Sequence, residues 1–213
     1  MAEPFRVLFV CTGNVCRSPM AQAMLTHRLH EALGAGADDF AVTSAGTGAL
    51  AGAAIEPHAA DALVALGVTM GKFVARDATS VMFETSDLIL TATRQHRAEV
   101  VTMQPSVVRR AFTILEFARL ATVLTTADVP TGDSVRERSR SLVELVAGKR
   151  GMLPPVLPAE DDIDDPFRQS AKRFNETAAT LLPAIDALAT VLVRAATERE
   201  LDNSSDHLPI SGG

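Results

Sequence analysis

Residues 5–19 read Phe-Arg-Val-Leu-Phe-Val-Cys-Thr-Gly-Asn-Val-Cys-Arg-Ser-Pro, and this stretch decides the fold. The apolar run over residues 5–10 predicts a short buried strand. Apolar residues at helical spacing from Met20 to Leu33 predict a helix that starts at about residue 19. Pro19 fits this position, because an N–H in the first turn of a helix has no partner within the helix. The small polar residues in between predict a tight turn. Its backbone N–H groups converge at the positive end of the helix, and such a turn binds oxyanions.

Cys11 and Arg17 are the chemically informative residues of this turn. A guanidinium fork such as that of Arg17 can hold two phosphate oxygens at once. The same positive field stabilises a thiolate, so we expect Cys11 to be a nucleophile. Asn14 tolerates the left-handed backbone that a tight turn needs, and Ser18 can donate its hydroxyl to the sulfur. The alternative, a buried structural cysteine on a surface turn, leaves this combination unexplained.

The rest of the sequence alternates between strand-like and helix-like segments. Further strands are predicted at about 40–44, 87–92 and 111–115, and further helices at about 57–66, 94–102, 134–149 and after Pro166. This order predicts an α/β fold, doubly wound, with a parallel sheet of about four strands and helices on both faces. Ligands bind at the carboxyl ends of the strands in such sheets, which is where Cys11 stands.

Length and composition indicate one domain. With 213 residues, 47% of them hydrophobic, the chain can bury one core, and we assign residues 1–198 to a single domain. Within it, residues 121–163 form an extended insertion, which is a lid, a partner-binding segment or a solvated elaboration. Residues 199–213 are polar without apolar periodicity and are expected to form a disordered tail.

Charge and cysteine content limit the possible partners. A formal net charge of −6 with scattered basic residues argues against nucleic acid and against an anionic membrane surface. We see no signal pattern at the N-terminus and no segment approaching the roughly 20 apolar residues that cross a bilayer. Two cysteines, one of them reactive, suit the reducing cytoplasm. The five histidines show no ligand spacing, so we predict no metal and no cofactor.

Three motifs together resemble the low-molecular-weight protein tyrosine phosphatase family. Residues 10–21, Val-Cys-Thr-Gly-Asn-Val-Cys-Arg-Ser-Pro-Met-Ala, are similar to the family's phosphate-binding loop. Residues 42–47, Val-Thr-Ser-Ala-Gly-Thr, resemble its second-strand segment, and Asp164-Asp165-Pro166-Phe167 resembles its acid loop. With residues 74–76 and 87–90, the resemblance covers most of residues 5–120 and 160–195.

The resemblance implies a cysteine-dependent phosphomonoester hydrolase, in the first place a phosphotyrosine-protein phosphatase that forms a phosphocysteine. It makes Cys11 the nucleophile, Arg17 the phosphate-binding residue and Asp165 the general acid, with Asp164 as the rival candidate. A phosphotyrosine-containing protein or an aryl phosphate would be the substrate, and inorganic phosphate the product and an inhibitor. The substrate-binding residues would be Thr12, Gly13, Asn14, Val15, Cys16, Ser18, Ser44, Leu50 and Phe167, with Phe167 against the phenyl ring and Leu50 on the opposite wall.

The chain departs from the family's pattern at two positions. Phe73 stands just before Val74-Ala75-Arg76, where the family often has a histidine. Thr93 stands near the place of an acidic residue that often follows the strand at 87–92. These departures alter the hydrogen bonds around the loop without removing the nucleophile, the arginine or the acid.

Two other functions remain open at this point. A related branch reduces arsenate in the same kind of loop. A reductase coupled to thioredoxin would need further cysteines for a relay disulfide, and the chain has none beyond Cys16. The arsenate reductase that remains possible is one coupled to a small thiol. A non-catalytic oxyanion-binding module would be expected to lack Cys11, Arg17 or Asp165, and all are present. We interpret Cys16 as a buried packing residue that can form a disulfide with Cys11 after oxidation.

Overall fold

A computed structural model of the chain describes residues 3–205 apart from 126, 129 and 155. Among these residues, four parallel strands form one sheet. The strands are β1 (Phe5–Cys11), β2 (Phe40–Gly46), β3 (Leu88–Thr91) and β4 (Ala111–Thr113). The helices of the described part are α1 (Arg17–Leu33), α2 (Pro57–Ala65), α3 (Ser80–Thr85), α4 (Arg94–Met103), α5 (Ile114–Ala121), α6 (Val135–Gly148) and α7 (Ala171–Ser205). Short 3₁₀ turns lie at Gly34–Asp39, Pro105–Val107 and Pro158–Asp161.

The strand order is β2-β1-β3-β4, which places β1 in the middle of the sheet. Cys11 ends β1 opposite Gly46 of β2. Because all pairings are parallel, the carboxyl ends of the strands meet at one edge, and Cys11 lies at that edge. The predicted α/β class and the parallel sheet are confirmed.

Alternate residues of β1 face opposite sides of the sheet and enter different apolar clusters. Val7 and Phe9 belong to the larger cluster, to which α1, α5, α6 and α7 contribute. Leu8 and Val10 belong to a smaller cluster, which contains Phe83 of α3 and Val100 of α4. Both faces of the sheet are therefore covered, which explains why the strands are apolar throughout rather than alternating.

The predicted strand at 111–115 is wrong over its last two residues. β4 ends at Thr113, and α5 begins at Ile114. Thr113 caps α5, since its side chain accepts from the N–H of Glu116 while the Glu116 carboxylate accepts from the N–H of Thr113. This capping box overrides the strand propensity of Ile114 and Leu115. The helix α3, which Thr79 caps, was also missed.

Residues 121–163 contain a helix that packs into the core. The predicted helix at 134–149 is confirmed as α6, with Ser134 as its N-cap. Its apolar side chains at Leu142, Val143 and Val146 are buried, and α6 packs against α5, α7 and β1. One face of α6 is therefore part of the core, and the role of the whole insertion stays a prediction.

The last helix, α7, runs further than the sequence indicates. It continues through Pro183 to Ser205, so residues 199–205 are helical where we expected a disordered tail, while residues 206–213 lie outside the described part. Contrary to expectation, the stretch Ala171–Thr197 is long and apolar enough to cross a membrane by length and composition alone. Half of its most apolar window is buried in the fold, where α7 packs against α1, α2, α5 and α6. Core helices pass the same test, so this helix is weak evidence for a membrane span.

Candidate active site

The loop between β1 and α1 is bent by Asn14. Asn14 is fully buried and has a φ of 52°, in the left-handed region that asparagine tolerates. Its side-chain Oδ1 accepts from the N–H of Arg76 at 3.0 Å, and its Nδ2 donates to the hydroxyls of Ser18 and Ser44, each at 2.9 Å. The side chain that permits the turn therefore also ties the loop to β2 and to the segment around Arg76.

The segment after β2 lies directly against the loop. The N–H groups of Thr47, Gly48 and Leu50 donate to the carbonyls of Cys11, Thr12 and Gly13 at 2.9, 3.1 and 3.0 Å. This approach requires glycine at position 46, because a Cβ there would stand 2.2 Å from the Thr12 carbonyl oxygen. The Ser-Ala-Gly-Thr motif thus has a mechanical role, since it clamps the loop from one side.

A line of hydrogen bonds leads from the core to the sulfur of Cys11. Ser44 donates to the Gln22 side chain at 2.7 Å and accepts from Asn14. Asn14 in turn donates to Ser18, whose hydroxyl lies 3.0 Å from the Cys11 sulfur. Since the Ser18 oxygen already accepts from Asn14, its own proton can be donated to the sulfur, which is nearer than its other acceptor, the Ala45 carbonyl at 3.5 Å.

Arg17 is fixed beneath the loop. It is only 4% exposed, and one terminal nitrogen donates to the carbonyl of Ile163 at 3.0 Å. The other terminal nitrogen lies 2.8 Å from Oδ2 of Asp165. Its Nε is buried without a hydrogen-bond partner among the described residues. A buried, unpartnered guanidinium N–H is costly unless an anion accepts it, so the side chain is prepared for an oxyanion.

Asp165 rather than Asp164 faces the loop. The Asp165 side chain is 48% exposed and lies on Arg17, whereas that of Asp164 is 91% exposed and points towards Arg173 at 4.0 Å. The acid loop is held in place by a hydrogen bond from the N–H of Ile163 to the carbonyl of Ala92, just beyond β3. Of the two candidate carboxylates, Asp165 is therefore the one that contacts Arg17 and lines the cavity, and its role as the acid stays a prediction.

Nine of the twelve predicted site residues line one cavity of about 160 Å³. Val15, Leu50 and Phe167 form the apolar walls of the cavity. The side chains of Leu50 and Phe167 are partly exposed to solvent. Asn14, Ser18 and Ser44 stand behind the loop and support it rather than line the cavity. The other lining residues are Cys11, Thr12, Gly13, Cys16, Arg17, Gly48 and Asp165, of which Gly48 was not predicted.

Cys16 lies in the same loop as Cys11, and both thiols are free and buried. Burial, followed by the charges of Cys11 and Asp165, raises the pKa of Cys16 to about 12. Cys16 is therefore a neutral thiol in the resting protein, which fits a packing residue. Both cysteines line the cavity, and the disulfide between them after oxidation stays a prediction.

His96 is a residue of the site that the sequence does not reveal. This residue of α4 is 6% exposed and bridges two hydroxyls, with Nε2 2.8 Å from Thr12 Oγ1 and Nδ1 2.7 Å from Thr93 Oγ1. Burial and then the positive charge of Arg17 lower its pKa, so the ring is neutral near pH 7. The departure at Thr93 thus has a structural use, because Thr93 caps α4 and orients the ring that holds Thr12.

Phe73, the other departure, packs at the edge of the larger apolar cluster. The nearby Arg76 still connects this segment to the site. Its N–H donates to Asn14 of the loop, and its Nε donates to the carbonyl of Ser44 on β2 at 2.9 Å. Among the described residues, no three His, Cys, Asp or Glu side chains are grouped so that they could hold a metal ion.

A fold and site of this kind are those of a cysteine-based phosphatase, and comparison with known proteins identifies the family. The family model for low molecular weight phosphotyrosine protein phosphatase matches residues 6–130. The chain belongs to this family, which confirms the resemblance and the predicted class of enzyme, a phosphoric monoester hydrolase.

Three similar proteins illustrate the range of the family. A probable low molecular weight protein-tyrosine-phosphatase, EpsP of Ralstonia solanacearum, is 26% identical over 85% of this chain and 91% of its own length. The protein-arginine-phosphatase of Bacillus subtilis is 33% identical over 52% of this chain and 71% of its own length. The crystal structure of a low molecular weight protein tyrosine phosphatase from T. tengcongensis has a TM-score of 0.62 at 26% identity, covering 88% of this chain and 99% of that one. The chain spans 57–63% of the length of several other tyrosine phosphatases that it matches.

Proposed function

We propose that the protein hydrolyses aryl phosphate monoesters, phosphotyrosine above all, through a phosphocysteine intermediate. The observation that carries this proposal is the meeting of Cys11, Arg17 and Asp165 at one apolar-walled cavity. A thiolate nucleophile, a planar phosphate-binding cation and a carboxylic acid are the parts that cysteine-based phosphoryl transfer requires.

The reaction proceeds in two displacement steps. The substrate phosphate takes the place of the Asp165 carboxylate on Arg17, and the displaced carboxylate takes up a proton from solvent. The Cys11 sulfur then attacks phosphorus. The S–P bond forms as the P–O bond to the leaving group breaks, while Asp165 gives its proton to the departing oxygen. Water then attacks phosphorus, Asp165 takes a proton from it, and the S–P bond breaks. Inorganic phosphate leaves, and the hydrogen bond from Ser18 stabilises the returning thiolate.

The walls of the cavity favour an aromatic leaving group. Val15 and Leu50 offer apolar surface, and Phe167 can stack on a ring, which makes aromatic contacts favourable beyond the area they bury. Phosphoarginine is the second candidate substrate, because a Bacillus subtilis relative is an arginine phosphatase. Its guanidinium would need a carboxylate at the cavity, and among the described lining residues the available one is Asp165, which the acid step uses. Relative rates on phosphotyrosine and phosphoarginine peptides decide between the two.

The protein's partners and compartment follow from this chemistry as further parts of the proposal. A phosphotyrosine-containing protein is the substrate, inorganic phosphate is the product and a competitive inhibitor, and the reaction takes place in the cytoplasm. Both cysteines are free thiols, and a reducing compartment keeps Cys11 in the form that reacts. Small-thiol-coupled arsenate reduction, the alternative left by the sequence, is tested with the same protein by supplying arsenate and a monothiol.

The leaving-group dependence of an Asp165→Asn variant tests the proposal. The loss of a general acid costs about 10²–10⁴-fold, and the cost falls when the leaving group departs without a proton. Asp165→Asn should therefore lose most of its kcat on phenyl phosphate and much less on p-nitrophenyl phosphate. Asp164→Asn is the matched control, and it should keep the wild-type ratio of the two rates. If Asp164→Asn shows the selective loss instead, the acid is assigned to the wrong carboxylate.

A further inference from the structure

A second pocket, separate from the cavity at Cys11, is lined in part by Asp161, which precedes the acid loop. It has a volume of about 500 Å³ and is bounded by α4, by α5 and by the part of the 121–163 insertion around Leu153. Its ionisable lining consists of four arginines and two carboxylates, namely Arg94, Arg97, Arg119, Arg150, Glu116 and Asp161. The pocket thus carries excess positive charge in a protein whose net charge is −6.

The two carboxylates are committed to two of the arginines. Asp161 accepts from Arg119 through both oxygens at 3.0 Å. Glu116 accepts from Arg150 at 2.9 Å, and Arg150 is further held by the carbonyls of Ala111 and Val108. These two ion pairs fasten the insertion to α5, since Arg150 and Asp161 belong to the insertion and Glu116 and Arg119 to α5.

Arg94 and Arg97 carry the excess charge. They stand three residues apart on α4 and are neighbours on its surface. Arg97 donates its Nε to the Ala111 carbonyl at 2.7 Å, and its nearest carboxylate oxygen, on Glu116, is 3.9 Å away. The guanidinium of Arg94 has no partner among the described residues. Burial, and repulsion from Arg150 and Arg94, lower the pKa of Arg97. An anion between the two guanidinium groups would relieve this repulsion.

Residues 161–165, which lead into the acid loop, connect this pocket with the cavity at Cys11. Asp161 lines the pocket, and Asp165 lines the cavity. Four residues of chain span at most about 14 Å, so the two sites are neighbours. The Asp162 carboxylate also accepts from the N–H of Arg94 at 2.7 Å, which fixes the start of α4 against this loop. An extended peptide covers about 3.3 Å per residue. When the phosphorylated residue of a substrate occupies the cavity, a side chain two to four positions away can therefore reach the pocket.

We propose that the pocket around Arg94 and Arg97 is a subsite for an anionic side chain of the substrate, a carboxylate or a second phosphate, two to four residues from the phosphotyrosine. The proposal rests on the proposed function and adds a substrate preference to it. Arginine binds both kinds of anion through its planar fork, so phosphate is bound at least as well as carboxylate.

Three phosphotyrosine peptides test the subsite. They differ only in the residues three positions before and after the phosphotyrosine, which are glutamine, glutamate or phosphoserine. Exposed ion pairs contribute about 0.2–1 kcal/mol, so the wild type should show a kcat/KM about 1.4- to fivefold higher for the anionic peptides than for the glutamine peptide. Arg94→Gln should reduce this preference by at least half, and 0.5 M salt should reduce it in the wild type.

Arg109→Gln is the matched control, because it removes the same charge from an exposed residue. Arg109 lies just before β4, at the opposite edge of the sheet from Cys11. The Arg109→Gln variant should retain the wild-type preference for the anionic peptides. An equal kcat/KM for all three peptides in the wild type, or an equal loss in Arg94→Gln and Arg109→Gln, would overturn the subsite. If the wild type hydrolyses neither these peptides nor p-nitrophenyl phosphate, the proposed function is overturned, and the subsite with it.

Discussion

Replacing Asn14 with alanine removes the centre of the network behind the phosphate-binding loop. Asn14 makes three side-chain hydrogen bonds, to Ser18, Ser44 and the N–H of Arg76. At about 1 kcal/mol for each buried bond, their loss costs about 3 kcal/mol. Alanine at a φ of 52° adds about 1 kcal/mol, because only residues such as asparagine and glycine tolerate this backbone. The free energy of unfolding should fall by about 4 kcal/mol.

Thermal and urea unfolding measure this change. For a domain of this size, 1 kcal/mol lowers the Tm by about 2–4 °C, so Asn14→Ala should unfold about 8–16 °C below the wild type. In urea the midpoint should fall without a change in the m-value, since the change affects the native loop rather than the surface exposed on unfolding. The kcat on p-nitrophenyl phosphate should fall on the order of 10²-fold, because Ser18 and the loop lose their alignment with Cys11.

Asn175→Ala makes the same chemical change at an exposed position on α7. It should leave the Tm, the urea midpoint and kcat close to the wild-type values, since surface substitutions usually change stability by less than about 0.5 kcal/mol. Should Asn14→Ala lie within about 1 kcal/mol of Asn175→Ala, the buried network does not hold the loop. The role that we give to Asn14 would then be wrong.

Two further predictions concern His96 and Cys16. The pKa of His96 is lowered in the folded protein, so the unfolded chain binds a proton more readily, and stability should fall as the pH drops below the ordinary value of 6.5. The wild type should therefore lose more Tm between pH 7 and pH 5 than His96→Gln, and parallel losses would show that His96 does not contribute. In the second experiment, peroxide converts the Cys11 thiolate to a sulfenic acid, and the Cys16 thiol displaces water from it to form a disulfide. Cys16→Ser should keep most of the phosphatase activity but lose much of the recovery by a dithiol, and recovery equal to the wild type would leave Cys16 as packing.

The sequence revealed the parts of the structure that have local signals. The strand, the loop of residues 11–16 and the helix after it are marked by an apolar run, small polar residues and Pro19. The acid motif likewise points to Asp165. The boundary at Thr113 also has a local signal, the Thr-x-x-Glu pattern with Glu116, which the predicted strand at 111–115 does not take into account.

The long-range contacts had no such signal. His96 bonds to Thr12 across 84 residues of chain, and a single histidine on a polar helix does not disclose that contact. The charge of the pocket at Arg94 depends on which arginines the carboxylates of Glu116 and Asp161 select, and this is decided by packing of the insertion. The length of α7 was underestimated because its last turns lack apolar periodicity.

The phosphorylated intermediate gives the most direct test of the central claim. Asp165→Asn slows both formation and hydrolysis of this intermediate, and hydrolysis is the slower step when the leaving group is activated. Acid quenching of this variant during turnover of p-nitrophenyl phosphate, followed by peptide mass mapping, should therefore find phosphate on Cys11. Cys11→Ala should show neither the adduct nor turnover. Phosphate on another residue, or turnover by Cys11→Ala at the wild-type rate, would contradict the account.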